Sequence, residues 1–241
     1  MLFRSQGESH GRPVVFLYPS SIAIYGMPSL EQKGPMGAVR ESDWTQPTTM
    51  YGCNKLYCEQ IGRYYGRYYK QLSAESLGGR VDFRALRFPG LISAATVPSG
   101  GTSDYAPEMI HAAAQGQPYA CFVRPDAQIP FMAMPDAIDA LMGLARADHS
   151  RLTQSAYNVR AFAPTAGEIR EEVIRAFPSA VVTYAVDKKR QGIIDTWPAD
   201  VDDSAARADW NFSPRFDFKR AFREYFIPGI KHCYGGGQTR V

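Results

Sequence analysis

Two residues four apart, Tyr51 and Lys55 in "YGCNK" (51–55), could together exchange a proton with an alcohol or a carbonyl. At i and i+4 both side chains lie on one helical face, about one turn apart. A nearby ammonium favours phenolate, which draws a phenol of reference pKa about 10 toward working pH. The pair alone is a common coincidence of helices, so it needs support. Support comes from Ser20 and Ser21, which end the apolar run "PVVFLYPSS" (13–21) well before the tyrosine. A hydroxyl there can hold a substrate oxygen while Tyr51 gives or takes its proton. The plainer alternative makes the serines caps and Tyr51 the first ring of a packing helix.

Such residues need a scaffold that brings a strand end against a helix start. "PVVFLYPSS" reads as a parallel strand buried on both faces. The Gly-, Pro- and polar-rich segment that follows, up to Thr49, reads as a loop at the strand's carboxyl end, where open α/β sheets carry ligands. A helix is expected from about Thr49 to Leu77, stopped by Gly78-Gly79. "VDFRALRFPG" (81–90) then alternates as a second strand turning at Pro89-Gly90. Strand, helix and strand in that order predict a right-handed parallel crossover. Residues 94–107 form another loop on the same sheet edge. Downstream, helices are expected in "EMIHAAAQGQ" (108–117), "MPDAIDALMGLARA" (134–147) and "TAGEIREEVIRAF" (165–177), the last opening with a Thr165–Glu168 capping box. Strands are expected in "YACFV" (119–123), "SAYNVRA" (155–161) and "AVVTYAVD" (180–187). Residues 188–212 read as a polar stretch anchored by tryptophans, and "FDFKRAFREYFI" (216–227) as a helix.

Composition narrows the function classes. With 241 residues, 45% hydrophobic and 21% charged, the chain suits a globular unit with a real core. Its net charge of +3 is spread along the chain, so no basic stripe marks a nucleic-acid partner. Cys53, Cys58, Cys121 and Cys233 make no paired framework and no Cys-x-x-Cys, which suits reduced thiols in a cytosol-like compartment. Cys53 and Cys58 are expected to be buried. The histidines lie far apart, and Asp202-Asp203 lacks a third ligand, so no metal site is expected. No apolar run approaches the roughly 18 residues that cross a bilayer, and "MLFRSQGESHGRP" is too polar for a signal peptide. Tyr57, Tyr64, Tyr65, Tyr68 and Tyr69 cannot all face one substrate and are expected to pack in a core or an interface.

Several segments together resemble the extended short-chain dehydrogenase/reductases, and within them the threonine 3-dehydrogenase branch related to sugar-nucleotide 4-epimerases. They are "PSSIAIYG" (19–26), "YGCNK" (51–55), "LRFPGLIS" (86–93), "PSGGTSDYA" (98–106), "MAMPDAIDA" (132–140) and "RQGIIDTWPADVDDSAARADWNF" (190–212). The loop between Gly26 and Tyr51 is longer than the family's. The resemblance implies an α/β fold with an incomplete Rossmann-type parallel sheet and a small α+β substrate lobe. Residues 1–12 would be unmatched, 13–95 would form a truncated core carrying Ser21, Tyr51 and Lys55, and 96–241 mainly the lobe, with 131–160 returning to the core. Ser21 would be the substrate-hydroxyl ligand, falling five residues before Gly26, Tyr51 the acid/base, and Lys55 its electrostatic partner and a ribose-hydroxyl donor. Ser20, Tyr51, Lys55, Pro89, Gly90 and Leu91 would line NAD, and Thr102, Asp104 and Trp197 would stand near an amino-acid substrate. The implied reaction oxidises L-threonine to 2-amino-3-ketobutyrate in a homodimer of the cytoplasm or the mitochondrial matrix. Alternatives are a sugar-nucleotide epimerase, dehydratase or reductase with the same triad, or a non-catalytic binding or oligomerisation module.

A dinucleotide's pyrophosphate needs a strand, a Gly-rich turn and a helix start. "KGPMG" (33–37), Gly100-Gly101 and the terminal "GGGQTRV" do not offer that order. Set against the family it resembles, the chain is expected to be an N-terminally truncated form that binds NAD weakly or not at all.

Overall fold

The computed structural model describes residues 7, 9–69, 72 and 81–235. Strand β1 (Val14–Ser21) runs into a 3₁₀ turn, Ile22–Ile24, followed by helix α1 (Leu30–Lys33), strand β2 (Ala38–Val39) and helix α2 (Met50–Arg63). Strands β3 (Val81–Phe88) and β4 (Gly90–Ile92), helix α3 (Tyr105–Ala114), and strands β5 (Tyr119–Cys121) and β6 (Phe131–Ala133) come next. Then follow α4 (Met134–Arg146), β7 (Ala156–Asn158), α5 (Ala166–Ala176), β8 (Val182–Tyr184), α6 (Lys188–Thr196) and β9 (Asp200–Val201). Helices α7 (Ser204–Trp210), α8 (Phe218–Ala221) and α9 (Ile227–Gly235) complete the described chain.

Among the described residues every strand ladder is parallel, and two isolated antiparallel bridges, Gln128–Thr165 and Phe131–Phe162, stand outside the ladders. The main sheet has the order β1-β3-β7, with Val14 opposite Val81 and Ser21 opposite Phe88, while Ala85 pairs with Ala156. Three two-stranded ladders, β2-β9, β4-β6 and β5-β8, tie the rest together. The chain is therefore α/β with a Rossmann-like parallel arrangement, as the strand–helix–strand order predicts. One cluster of buried side chains, including Ile24, Tyr105, Ile129, Phe131 and Phe226, fills the larger core, and Leu86, Leu144, Tyr157 and Trp210 anchor a second beneath the main sheet. The Thr165–Glu168 capping box opens α5, with both reciprocal hydrogen bonds made.

Several expectations need correction. β1 is not buried on both faces: it has a single strand partner among the described residues, and Val15 is 41% exposed. β3 does not alternate; Asp82 to Arg87 are all buried because strands flank it on both sides and α4 covers it. Nor does the chain simply turn at Pro89-Gly90, since it resumes as β4 against β6. The helix from Thr49 ends its α-helical path at Arg63, passes through a π-helical turn at Tyr64–Tyr68, and leaves it at Tyr69 with ψ of 128°. Its expected stop at Gly78-Gly79 lies outside the described residues. The 27–49 and 188–212 segments carry α1 and β2, and α6, β9 and α7, where loop and polar stretch were expected.

Candidate active site

The sequence brings a strand end and a helix start together by two local devices. Thr49, with extended φ and ψ, caps α2 by accepting from Gly52 N at 3.1 Å. Gly52 then lets the helix come close: a Cβ there would stand 2.0 Å from Ala23 O and 2.8 Å from Pro47 Cβ. Gly26 plays the same part at the other end of the turn, since its Cβ would collide with Gln46 O at 1.8 Å. The residues between them, Ile22 to Tyr25, are fully buried and fix the turn that follows Ser21.

This contact sets the site. The Lys55 ammonium donates to Pro19 O at 2.6 Å and stands 5.5 Å from the centre of the Tyr51 ring. It has three N–H donors, so two remain for a ligand. Tyr51 is 55% exposed on the open side of α2. The two serines have different tasks. Ser20 is buried and donates to Glu59 Oε1. Ser21 is half-buried, and its Oγ accepts from Ala23 N at 3.2 Å, which caps the 3₁₀ turn and leaves the hydroxyl proton available to donate outward.

Behind these residues lies a buried polar network that sequence reasoning missed. Arg87 pairs with Glu59 through three contacts of 2.7 to 3.2 Å and donates to Tyr25 OH at 2.9 Å and Glu41 O at 2.6 Å. Tyr25 OH in turn donates to Asn158 Oδ1 at 2.7 Å, and Asn158 Nδ2 donates to Val39 O at 3.0 Å. Burial pushes the Tyr25 phenol up to about 12 although Arg87 pulls the other way, so it stays a neutral donor. Burial opposes the Arg87 charge, yet Tyr25 and Glu59 hold it above the usual guanidinium range. Two signals pointed here: Glu59 shares the helical face of Lys55, and Arg87 interrupts an apolar strand.

The other expected residues are distributed around this centre. Pro89 and Gly90 are buried and Leu91 half-buried along β4, the strand that continues β3. Asp104 is half-buried and accepts from Ser99 N at 3.2 Å and Gly101 N at 2.7 Å, so its carboxylate shapes its own loop, where Thr102 is also half-buried. Arg190 of α6 fastens that loop by donating to Gly101 O at 2.7 Å and stacks 3.2 Å from the centre of the Phe122 ring. Trp197 is 7% exposed, and its indole N–H finds no partner among the described residues. The residue before it, Thr196, meets Thr48 at 2.9 Å and accepts from Met27 N at 2.7 Å, which joins the end of α6 to the segment before α2.

The cysteine and tyrosine expectations change. Cys53 is exposed and Cys58 only half-buried, because both lie away from the narrow face of α2 that holds Gly52 and Glu59. Tyr57, Tyr64, Tyr65 and Tyr68 are exposed by 40% or more, outside any core. Tyr65 and Tyr69 stack on each other at 5.3 Å, and with Phe16, Tyr18 and Phe83 they line a cleft of about 390 Å³ beside β1. Asp203 pairs with Arg207 at 2.8 Å and Asp202 accepts from Ser204 N, so each acidic residue has a partner in its own turn.

Comparison with known proteins gives the family. Residues 7–159 match the model of the NAD dependent epimerase/dehydratase family. The chain belongs to that family. It is 37% identical over 199 residues to the mitochondrial L-threonine 3-dehydrogenase of Bos taurus, covering 83% of this chain and 49% of that protein. It is 36% identical over 203 residues to an uncharacterized epimerase/dehydratase of Staphylococcus haemolyticus, covering 84% and 59%. The structure of L-threonine dehydrogenase from Clostridium difficile superposes with a TM-score of 0.83 at 30% identity, over 97% of this chain and 68% of that one. The chain thus spans about half the length of the curated relatives it matches.

The family implies NAD, and the donor set around Lys55 suits the reacting end of such a cofactor. The phosphates are another matter. Gly100-Gly101 precede α3, but Asp104 already occupies the amides of that turn, and a diphosphate would meet its carboxylate. Gly34 closes the four-residue α1, and Gly37, with φ of 65°, the turn after it. Among the described residues, no helix is long and apolar enough to cross a membrane.

Proposed function

We propose that these residues perform the NAD-dependent oxidation of L-threonine to 2-amino-3-ketobutyrate. The observation that carries the reading is the juxtaposition of Lys55, bonded to Pro19 O, with the Tyr51 ring on one side and the Ser20–Ser21 strand end on the other. Ser21 donates to the substrate's β-oxygen and holds it; Tyr51, as phenolate, takes the β-hydroxyl proton. Lys55 offers its remaining donors to the cofactor's ribose. NAD, when bound, supplies the hydride acceptor. Proton and hydride leave the same carbinol carbon's O–H and C–H, so the ketone forms with no other reactant.

The choice of threonine is supported by the bovine relative's name and by the resemblance of residues 190–212 to the threonine 3-dehydrogenase branch. Thr102, Asp104 and Trp197 line the amino-acid end in this reading, with Arg190 holding the loop of the first two. A substrate panel on the complete protein tests it: NADH should form with L-threonine and not with UDP-sugars. Turnover of a UDP-sugar without threonine oxidation would transfer the same triad to sugar-nucleotide chemistry.

A further inference from the structure

We infer that Glu59 and Arg87 form a register clamp that sets α2 along the end of β1, and so places Tyr51 and Lys55 against Ser21. The inference rests on the proposed use of those three residues. Its basis is that two helix residues one turn apart grip two consecutive strand residues. Lys55 takes Pro19 through its carbonyl, and Glu59 takes Ser20 through its hydroxyl. Ser20 and Arg87 are direct neighbours across β1 and β3, and the Glu59 carboxylate bridges both. All three side chains are at least nine-tenths buried. A shift of α2 by one residue would move Glu59 by about 1.5 Å along the helix axis and about 100° around it, and would break both contacts.

The network extends the clamp into the segment that leads to α2. Arg87 holds Glu41 O directly, and through Tyr25 and Asn158 it reaches Val39 O. Hydrophobic packing alone does not specify a helix's register so narrowly. The face of α2 toward the sheet is nearly bare of large apolar groups, and Gly52 and Glu59 are its buried residues. A buried ion pair contributes little net stability over an apolar pair of the same shape, and its best-attested use is to fix one arrangement among several. Glu59 and Arg87 are therefore positioning residues; neither is assigned a contact with substrate.

Glu59→Gln in the complete protein keeps the shape and the Ser20 acceptor but removes the charge. Its kcat for threonine should fall by about tenfold to a hundredfold while KM changes by less than about threefold. Its crystal structure should show Lys55 Nζ beyond hydrogen-bond reach of Pro19 O. The neutral pair Glu59→Gln with Arg87→Met separates positioning from bulk stability. It should regain the wild-type melting temperature and leave kcat low, whereas recovery of both would overturn the clamp. If Glu59→Gln does not fold, Ser20→Ala removes only one contact and should lower kcat by about tenfold. Wild-type kcat in that variant would overturn the inference. A wild-type protein that makes no NADH from threonine refutes the functional reading instead. The clamp is then judged by structure, and an intact Lys55–Pro19 hydrogen bond in Glu59→Gln or Ser20→Ala would overturn it.

Discussion

Replacing Gly52 by alanine would push a methyl group into the turn that carries Ser21. The new Cβ would lie 2.0 Å from Ala23 O and 2.9 Å from its carbonyl carbon, both backbone atoms that cannot rotate away. Ordinary contact begins at 3.4 Å, so α2 must retreat by about 1.4 Å. A retreat along that line would stretch the 2.6 Å Lys55–Pro19 contact to about 4 Å, beyond hydrogen-bonding range. Overpacking of this kind costs about 1–3 kcal/mol, and alanine recovers up to about 1 kcal/mol of helix propensity over glycine. Net destabilisation should thus be about 0–3 kcal/mol, which leaves most molecules folded. Catalysis should suffer more, because a displacement of about 1 Å in a positioned group can cost about 10²-fold in rate. Denaturant unfolding and steady-state kinetics of the complete Gly52→Ala protein would separate the two effects. A kcat within about twofold of wild type would refute the claim that this close approach sets the geometry of Tyr51 and Lys55.

Burial of Lys33, which donates to Ile194 O at 2.9 Å, lowers its ammonium from 10.5 to about 8. Because the folded value lies below the unfolded one, the penalty is full below pH about 8 and disappears as pH rises toward the unfolded value. Lys33→Met should therefore be the more stable protein near neutrality, by about 1–3 kcal/mol, with the gap closing through the alkaline range; a pH-independent difference in unfolding free energy would contradict this. Calorimetry on the 241-residue chain should find NAD binding weaker than micromolar, since Asp104 occupies the Gly100-Gly101 turn. Micromolar affinity would show that the phosphates find a cradle here. Self-association is expected from the exposed aromatic side of α2, with Tyr57 at 66% exposure, so light scattering should give a two-chain mass. A one-chain mass would remove the dimer.

The parallel strand–helix–strand unit was legible because long apolar runs, a helix start at Thr49 and the Thr165–Glu168 capping box are local signals. The spacing that puts Tyr51 and Lys55 on one face was legible for the same reason. What Lys55 touches was not, because Pro19 O reaches it only through a close approach that Gly52 permits. Charges inside the core were equally hidden. Arg87 in "LRF" and Glu59 in the aromatic helix look like surface residues until a partner from another element neutralises them. The burial of β1 depends on how many strands lie beside it, which its own residues do not encode. Of the two places expected for the tyrosines, the exposure of Tyr57, Tyr64, Tyr65 and Tyr68 excludes the core and leaves the interface, a choice that the ring types alone do not encode.

The proposed oxidation turns on Tyr51, which stands beside Lys55, moving the substrate's proton. Initial rates of NADH formation from L-threonine by the complete protein and its Tyr51→Phe variant test it most directly. The loss of one hydroxyl should lower kcat by about 10²–10⁴-fold and leave the fold and melting temperature intact. Equal rates in the two proteins would contradict the account.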